Sequence, residues 1–164
     1  MKDIILDTQK VNHTIKRLAY EIYENAYKET KIYLLGINNK GKILASKIEK
    51  ALKIISDLNV ELQDLTINPS NPLEEIKLNF KATEMKNKMV IVVDDVANTG
   101  RTLFYACKPI MDVLPKRLEF AVLVDRKHKN FPVKVDYVGV SLATTLKEDI
   151  SVTFDGDDTE VYFS

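Results

Sequence analysis

The sequence predicts an α/β protein built on a doubly wound, mostly parallel sheet with helices on both faces. Lys31–Ile37 (KIYLLGI), Met89–Val93 (MVIVV) and Phe120–Val124 (FAVLV) are continuous apolar, β-prone runs. Runs without polar alternation are what strands covered on both faces look like, and such strands belong to parallel sheets. Between them lie segments whose apolar residues recur at spacings of three and four, the period of a helix with one buried stripe. Strands that alternate with helices of this length form doubly wound sheets.

The first helix is expected over Gln9–Tyr27, where Val11, Ile15, Leu18, Ile22 and Ala26 form the stripe. Gly41–Ile55 repeats the pattern with Leu44, Ile48, Leu52 and Ile55. Val60–Ile67 reads as a further strand and runs into Asn68-Pro69-Ser70-Asn71-Pro72, the clearest loop signal in the chain. A third helix is expected over Arg101–Leu114, with Leu103, Ala106, Ile110, Val113 and Leu114 inward and Pro115 as its stop. Beyond Val124 the helical rhythm ends. Tyr137–Leu142, Ile150–Phe154 and Glu160–Phe163 read as short strands, with Asp155–Asp158 as a hairpin turn, and together suggest a small C-terminal β hood. No repeat or linker interrupts the chain, so residues 1–164 are expected to form a single domain.

Composition narrows the function classes. Lys plus Arg and Asp plus Glu number 24 each, so the net charge is zero and any anion site must be local. A single cysteine, Cys107, excludes an intramolecular disulfide and a cysteine metal cluster. His13 and His128 lie too far apart in sequence to suggest a histidine metal site. No apolar run approaches the roughly 18–20 residues that span a bilayer, and the N-terminus lacks the features of a signal peptide. A reduced, cytoplasmic setting is the expectation.

The stretch that carries chemistry is Val90-Ile91-Val92-Val93-Asp94-Asp95-Val96-Ala97-Asn98-Thr99-Gly100-Arg101-Thr102. A buried strand ends in two adjacent acids, and a Thr-Gly-Arg-Thr turn then opens a helix. Open α/β sheets bind ligands at the carboxyl ends of their strands. Gly100 lets the backbone turn tightly and approach a ligand. The amides of Asn98–Thr102, two threonine hydroxyls and the positive helix end make an anion cradle. Carboxylates suit ribose hydroxyls or Mg²⁺ instead. Sugar diol beside phosphate is what these residue types ask for.

This stretch closely resembles the signature with which type I phosphoribosyltransferases bind phosphoribosyl pyrophosphate (PRPP). Within that family the chain is similar to the bifunctional pyrimidine-operon attenuator/uracil phosphoribosyltransferase group over most of its length. Ile4-Ile5-Leu6-Asp7 resembles the group's opening, and Leu35-Gly36-Ile37-Asn38-Asn39-Lys40-Gly41 its pyrophosphate loop. Ala121–His128, Phe131-Pro132 and Val135–Gly139 resemble its base-side and C-terminal part. The resemblance implies the type I phosphoribosyltransferase fold and Mg²⁺-dependent transfer of ribose 5-phosphate to a nucleobase, uracil first, with release of pyrophosphate. It also implies a homodimer or higher homo-oligomer. Carried over by position, Asp94 and Asp95 would hold the ribose diol and lie near the metal. Val96, Ala97, Asn98, Thr99, Gly100, Arg101 and Thr102 would bind the 5-phosphate. Asn38, Asn39, Lys40 and Gly41 would face pyrophosphate, with Lys40 neutralising charge, and Arg126 would lie beside the base.

Three positions depart from the pattern. Asn98 stands where oxopurine-specific relatives carry an acid and cannot take a proton, which argues against hypoxanthine or guanine. Lys40 replaces an expected Arg, a point charge in place of a bidentate fork. The loop Thr66–Glu75, expected to close over PRPP, holds no basic or aromatic residue; its prolines and acids predict slow turnover unless Lys77 or Lys81 reaches the site. A second reading follows from these departures: an RNA-binding regulator sensing PRPP or nucleotide, with Arg126, Lys127, His128 and Lys129 as RNA contacts and Lys134 as an extension. Cys107 reads as a small core residue, and Tyr20, Tyr23 and Tyr27 as packing or dimer contacts.

Overall fold

Residues 2–143 and 148–164 are described in the computed structural model. The strands and helices run β1 (Asp3–Leu6), α1 (Thr8–Asn25), β2 (Lys31–Ile37), α2 (Asn38–Ile55), β3 (Asn59–Thr66), β4 (Lys77–Leu78), β5 (Met89–Ala97), α3 (Arg101–Ala106), β6 (Arg117–Arg126), β7 (Tyr137–Leu142), β8 (Ile150–Asp155) and β9 (Asp158–Phe163). The central sheet has the order β4-β3-β2-β5-β6-β7. Its strands are parallel except β4, which pairs antiparallel with β3.

This order creates a switch point. From β2 the chain moves outward through α2 to β3, then returns across the sheet to place β5 on the other side of β2. The connections leaving β2 and β5 therefore diverge and open a crevice between them, where α/β sheets bind ligands.

The uninterrupted strands have two apolar faces, as their composition requires. Ile32 and Leu34 of β2 pack in one core with Met89, Ile91 and Val93 of β5, α1 and α2. Their alternates Tyr33, Leu35, Ile37, Val90 and Val92 form the other core with Leu103, Ala106 and Ile110. Asp7 caps α1 by accepting a hydrogen bond from the Lys10 amide at 2.9 Å. The hood is a three-stranded antiparallel sheet, β1-β9-β8, so the N-terminal segment completes the predicted C-terminal unit. Val152 and Val161 seat it on the α1–α2 core. Gly156, at φ 60°, begins the two-residue turn between Asp155 and Asp158. Among the described residues no helix is long and apolar enough to cross a membrane.

The expected bounds of all three helices are corrected, the first ending at Asn25 instead of Tyr27. The third helix ends at Ala106, and Lys108–Ile110 form a 3₁₀ turn. Pro109 is the cause: its ring removes the amide and crowds the preceding turn, so an α-helix cannot run through it to Leu114. The second helix starts at Asn38, three residues before the expected Gly41.

Candidate active site

Two turns face the crevice. At the end of β2 the chain enters α2 through Asn38, which has φ 53°, a left-handed conformation that asparagine tolerates better than most residues. The Asn38 side chain holds the backbone of Ile67, donating to its carbonyl at 2.9 Å and accepting from its amide at 3.0 Å. Asn38–Gly41 is thus the first turn of α2 and not a free loop. Gly41 lets that turn lie on β5: a Cβ there would sit 2.5 Å from the Val93 carbonyl oxygen.

The second turn follows β5, which continues past the acids to Ala97. Val96 and Ala97 pair with Val124 and Asp125 of β6 and belong to the strand, not to the turn. Both also line the pocket at the turn that follows. Gly100 has φ 86° and caps α3, and the pocket formed by Asp94 and residues 96–103 encloses about 50 Å³. The Arg101 amide donates weakly to the Thr99 hydroxyl at 3.4 Å.

Between the turns lies a cavity of about 340 Å³ lined by Ile37, Asn38, Asn39, Lys40, Pro69, Asp94, Asp95 and Thr102. It shares Asp94 and Thr102 with the smaller pocket, so the two spaces adjoin at these residues. Asp94 accepts a hydrogen bond from the Asp95 amide at 2.9 Å. Burial, then the adjacent Asp95 carboxylate, holds the Asp94 carboxyl well above the usual range, while Lys40 and the Asp95 amide pull the other way. A larger groove of about 390 Å³ between α1 and α2 is walled by Lys16, Lys47 and Lys50 and includes none of the expected site residues.

The remaining expected residues divide. Arg126 is the last residue of β6 and is buried at 8 % exposure. Lys129 turns inward, in an ion pair with Asp125 at 2.6 Å. Of the predicted RNA contacts, Lys127 and His128 are exposed, and Lys134 as well. Arg101 opens α3 at the glycine turn, but its guanidinium reaches across and donates to the Pro69 carbonyl at 2.6 Å. The loop expected to close is thereby strapped to the cavity rim, and its Pro69 lines the cavity in place of Lys77 or Lys81. Sequence reasoning missed Pro69 and the inward Asp125–Lys129 pair. The spacing of the pair, four residues across a strand end, was the available signal.

A parallel sheet with this switch point, a glycine turn and an acid pair describes a phosphoribosyltransferase. The comparisons agree: residues 1–155 match the phosphoribosyl transferase domain family, and the chain belongs to it. More narrowly, it is similar to proteins named bifunctional protein PyrR. The one from Macrococcus caseolyticus is 36% identical over 173 residues, covering 98% of each chain. That from Streptococcus mutans is 37% identical over 153 residues, covering 90% of this chain and 86% of the relative. Among solved structures, the hypoxanthine phosphoribosyltransferase of Trypanosoma cruzi superposes with TM-score 0.79 at 17% identity, over 98% of this chain and 96% of that one. A hypoxanthine-guanine phosphoribosyltransferase from Bacillus anthracis gives 0.73 at 20% identity, over 87% and 83%. At these identities the two structures speak for the fold alone.

Proposed function

We propose that this phosphoribosyltransferase transfers the 5-phosphoribosyl group of PRPP to uracil and releases pyrophosphate. The observation that carries the reading is the cavity in which Asp94 and Asp95 lie between Asn38–Lys40 at the start of α2 and Thr102 at the start of α3. The 5-phosphate sits in the amides of Asn98–Thr102, and the ribose diol on Asp94 and Asp95. Pyrophosphate rests on the first turn of α2, where Lys40 offsets its charge. Arg126 closes the base side. The bond from C1 of ribose to pyrophosphate oxygen breaks as the bond to the base nitrogen forms. Positioning and stabilisation of the leaving group carry the rate.

Asp94 and Asp95 also suit Mg²⁺. Among the described residues no third acid, histidine or cysteine joins them. One or two carboxylates together with substrate phosphates are the usual Mg²⁺ donors, and a cation there would offset the burial and the neighbouring Asp95 carboxylate that raise the Asp94 carboxyl. The metal would supply charge neutralisation at the pyrophosphate. We read residues 1–164 as one such unit, cytoplasmic and at least dimeric, with exposed Tyr20 and Tyr23 of α1 and Tyr27 just beyond it available to a second copy.

An RNA-binding role is the second reading. It is favoured by the relatives' description as bifunctional and by the exposure of Lys127, His128 and Lys134. Its basic surface excludes Arg126 and Lys129, which face inward.

The test is PRPP consumption with Mg²⁺ across uracil, orotate, adenine, guanine, hypoxanthine and xanthine. Turnover is expected with uracil. Tight PRPP binding without turnover on any base would transfer the weight to the regulator, and absence of PRPP binding would overturn both readings.

A further inference from the structure

The connection from β6 to β7, residues 127–136, crosses between parallel strands without a helix and lies against the phosphate turn. Lys129 donates to the Asn98 carbonyl at 3.0 Å and to the Arg126 carbonyl, and pairs with Asp125 at 2.6 Å. The ammonium thus donates to two carbonyls and has the Asp125 carboxylate beside it as an ion partner. The Asn130 and Phe131 amides donate to the Thr99 carbonyl at 3.0 and 3.2 Å. The Lys129 stem passes over Gly100, where a Cβ would meet its Cδ at 3.2 Å. Phe131 packs on Phe104 of α3 at 5.6 Å between ring centroids.

These contacts reach only carbonyls, yet they decide where amides point. In a trans peptide the carbonyl of one residue and the amide of the next face opposite ways in one plane, and among the described residues no peptide bond is cis. Tying back the Asn98 carbonyl aims the Thr99 amide; tying back the Thr99 carbonyl aims the Gly100 amide. We propose that Lys129 is a positioning residue that turns the phosphate-turn amides toward the 5-phosphate and joins that turn to the end of β6 beside Arg126. The ion pair is shielded, with side-chain exposures of 16% and 18%, so the bridge is not loosened by solvent as a surface pair would be.

This inference rests on the proposed reading of residues 98–102 as the 5-phosphate site, and the experiment separates the two. Ribose 5-phosphate and pyrophosphate are titrated calorimetrically, in one Mg²⁺ buffer, against wild type, K129M and K129R. K129M keeps the stem over Gly100 and removes the charge. The expected result is about a 10-fold loss of ribose 5-phosphate affinity in K129M, the scale of one or two lost hydrogen bonds, with pyrophosphate affinity unchanged and most of the loss recovered in K129R. Equal losses for both ligands, or no loss for either, would overturn the positioning role. A wild type that binds neither ligand would overturn the functional reading beneath it. If K129M does not fold, D125N loosens Lys129 through one partner alone, and a smaller loss confined to ribose 5-phosphate is expected.

Discussion

The two sides of the cavity are built differently. On the phosphate side, the carbonyls of Asn98 and Thr99 are held by Lys129, Asn130 and Phe131, and aromatic packing fastens the holding segment to α3. On the other side, Asn38 grips Ile67 at the base of the 66–75 loop. Further out, the exposed stretch 68–71 meets the body through the Arg101–Pro69 bond. On the proposed reaction this asymmetry has a use. Ribose 5-phosphate stays bound while its anomeric carbon changes partners, so its site gains from rigidity. Pyrophosphate must leave, and a rim fastened by one exposed arginine opens at small cost.

The acid pair stands between the two sides, and removing it is the harshest way to break the comparison. In D94N/D95N the two proposed acceptors of the ring hydroxyls lose their charge, while the side-chain oxygen at position 94 can still accept from the following amide. PRPP affinity should fall by about 10-fold or more, the order of one lost charge-assisted hydrogen bond, roughly 1.5–3 kcal/mol. Ribose 5-phosphate and PRPP should weaken together by calorimetry, since both present the diol. Unchanged PRPP affinity would remove the acids from the site.

A gentler intervention sharpens the contrast between the sides. R101A leaves the amides of the phosphate turn in place but frees the Pro69 carbonyl. Amide exchange at Ser70 and Asn71 should quicken by about 10-fold, as expected of a local opening, while exchange at Thr99 and Gly100 stays the same. Global stability should change by less than about 0.5 kcal/mol, as for most surface substitutions. Equal acceleration on both sides would mean that the two are one cooperative unit and that the asymmetry is only apparent.

The sequence made the strands readable because burial on both faces leaves runs such as Met89–Val93 with no polar interruption. It made the acid pair and the glycine turn readable because both are contiguous. What depends on distant partners was not readable. β1 pairs with β9 across nearly the whole chain, and four residues alone give no alternation to interpret. The apolar spacing runs on through Pro109 to Leu114, so the third helix read as closing only at Pro115. Arg126, Lys127, His128 and Lys129 looked like one basic surface because charge in sequence carries no direction. Folding sends the first inside, the fourth across to Asn98, and only the middle pair to solvent. The contacts that hold the loop 66–75 were not readable because they use backbone groups, those of Ile67 and Pro69, which every residue has.

Cys107 supplies the smallest effect and a check on the helix behind the phosphate turn. Its thiol donates to the Leu103 carbonyl at 3.3 Å, and burial pushes it up from an ordinary 9.0 to about 11. The neutral thiol is therefore the form that fits, and the residue is a packing element rather than a nucleophile. Between pH 9.0 and about 11 the unfolded chain has released this proton while the folded chain keeps it. The unfolded state then binds fewer protons, so stability falls as pH rises through that window. Other groups titrate there as well, so the measurement is a difference: urea melts of wild type and C107A across the window, with a flatter slope in C107A. Below pH 8 the two slopes should coincide, and kcat/KM should agree within about twofold, because a core thiol outside the cavity contributes no transition-state contact. Rapid alkylation of folded wild type at pH 7, or a large loss of kcat/KM in C107A, would show that the thiol is exposed to the site and that α3 is not docked behind the phosphate turn.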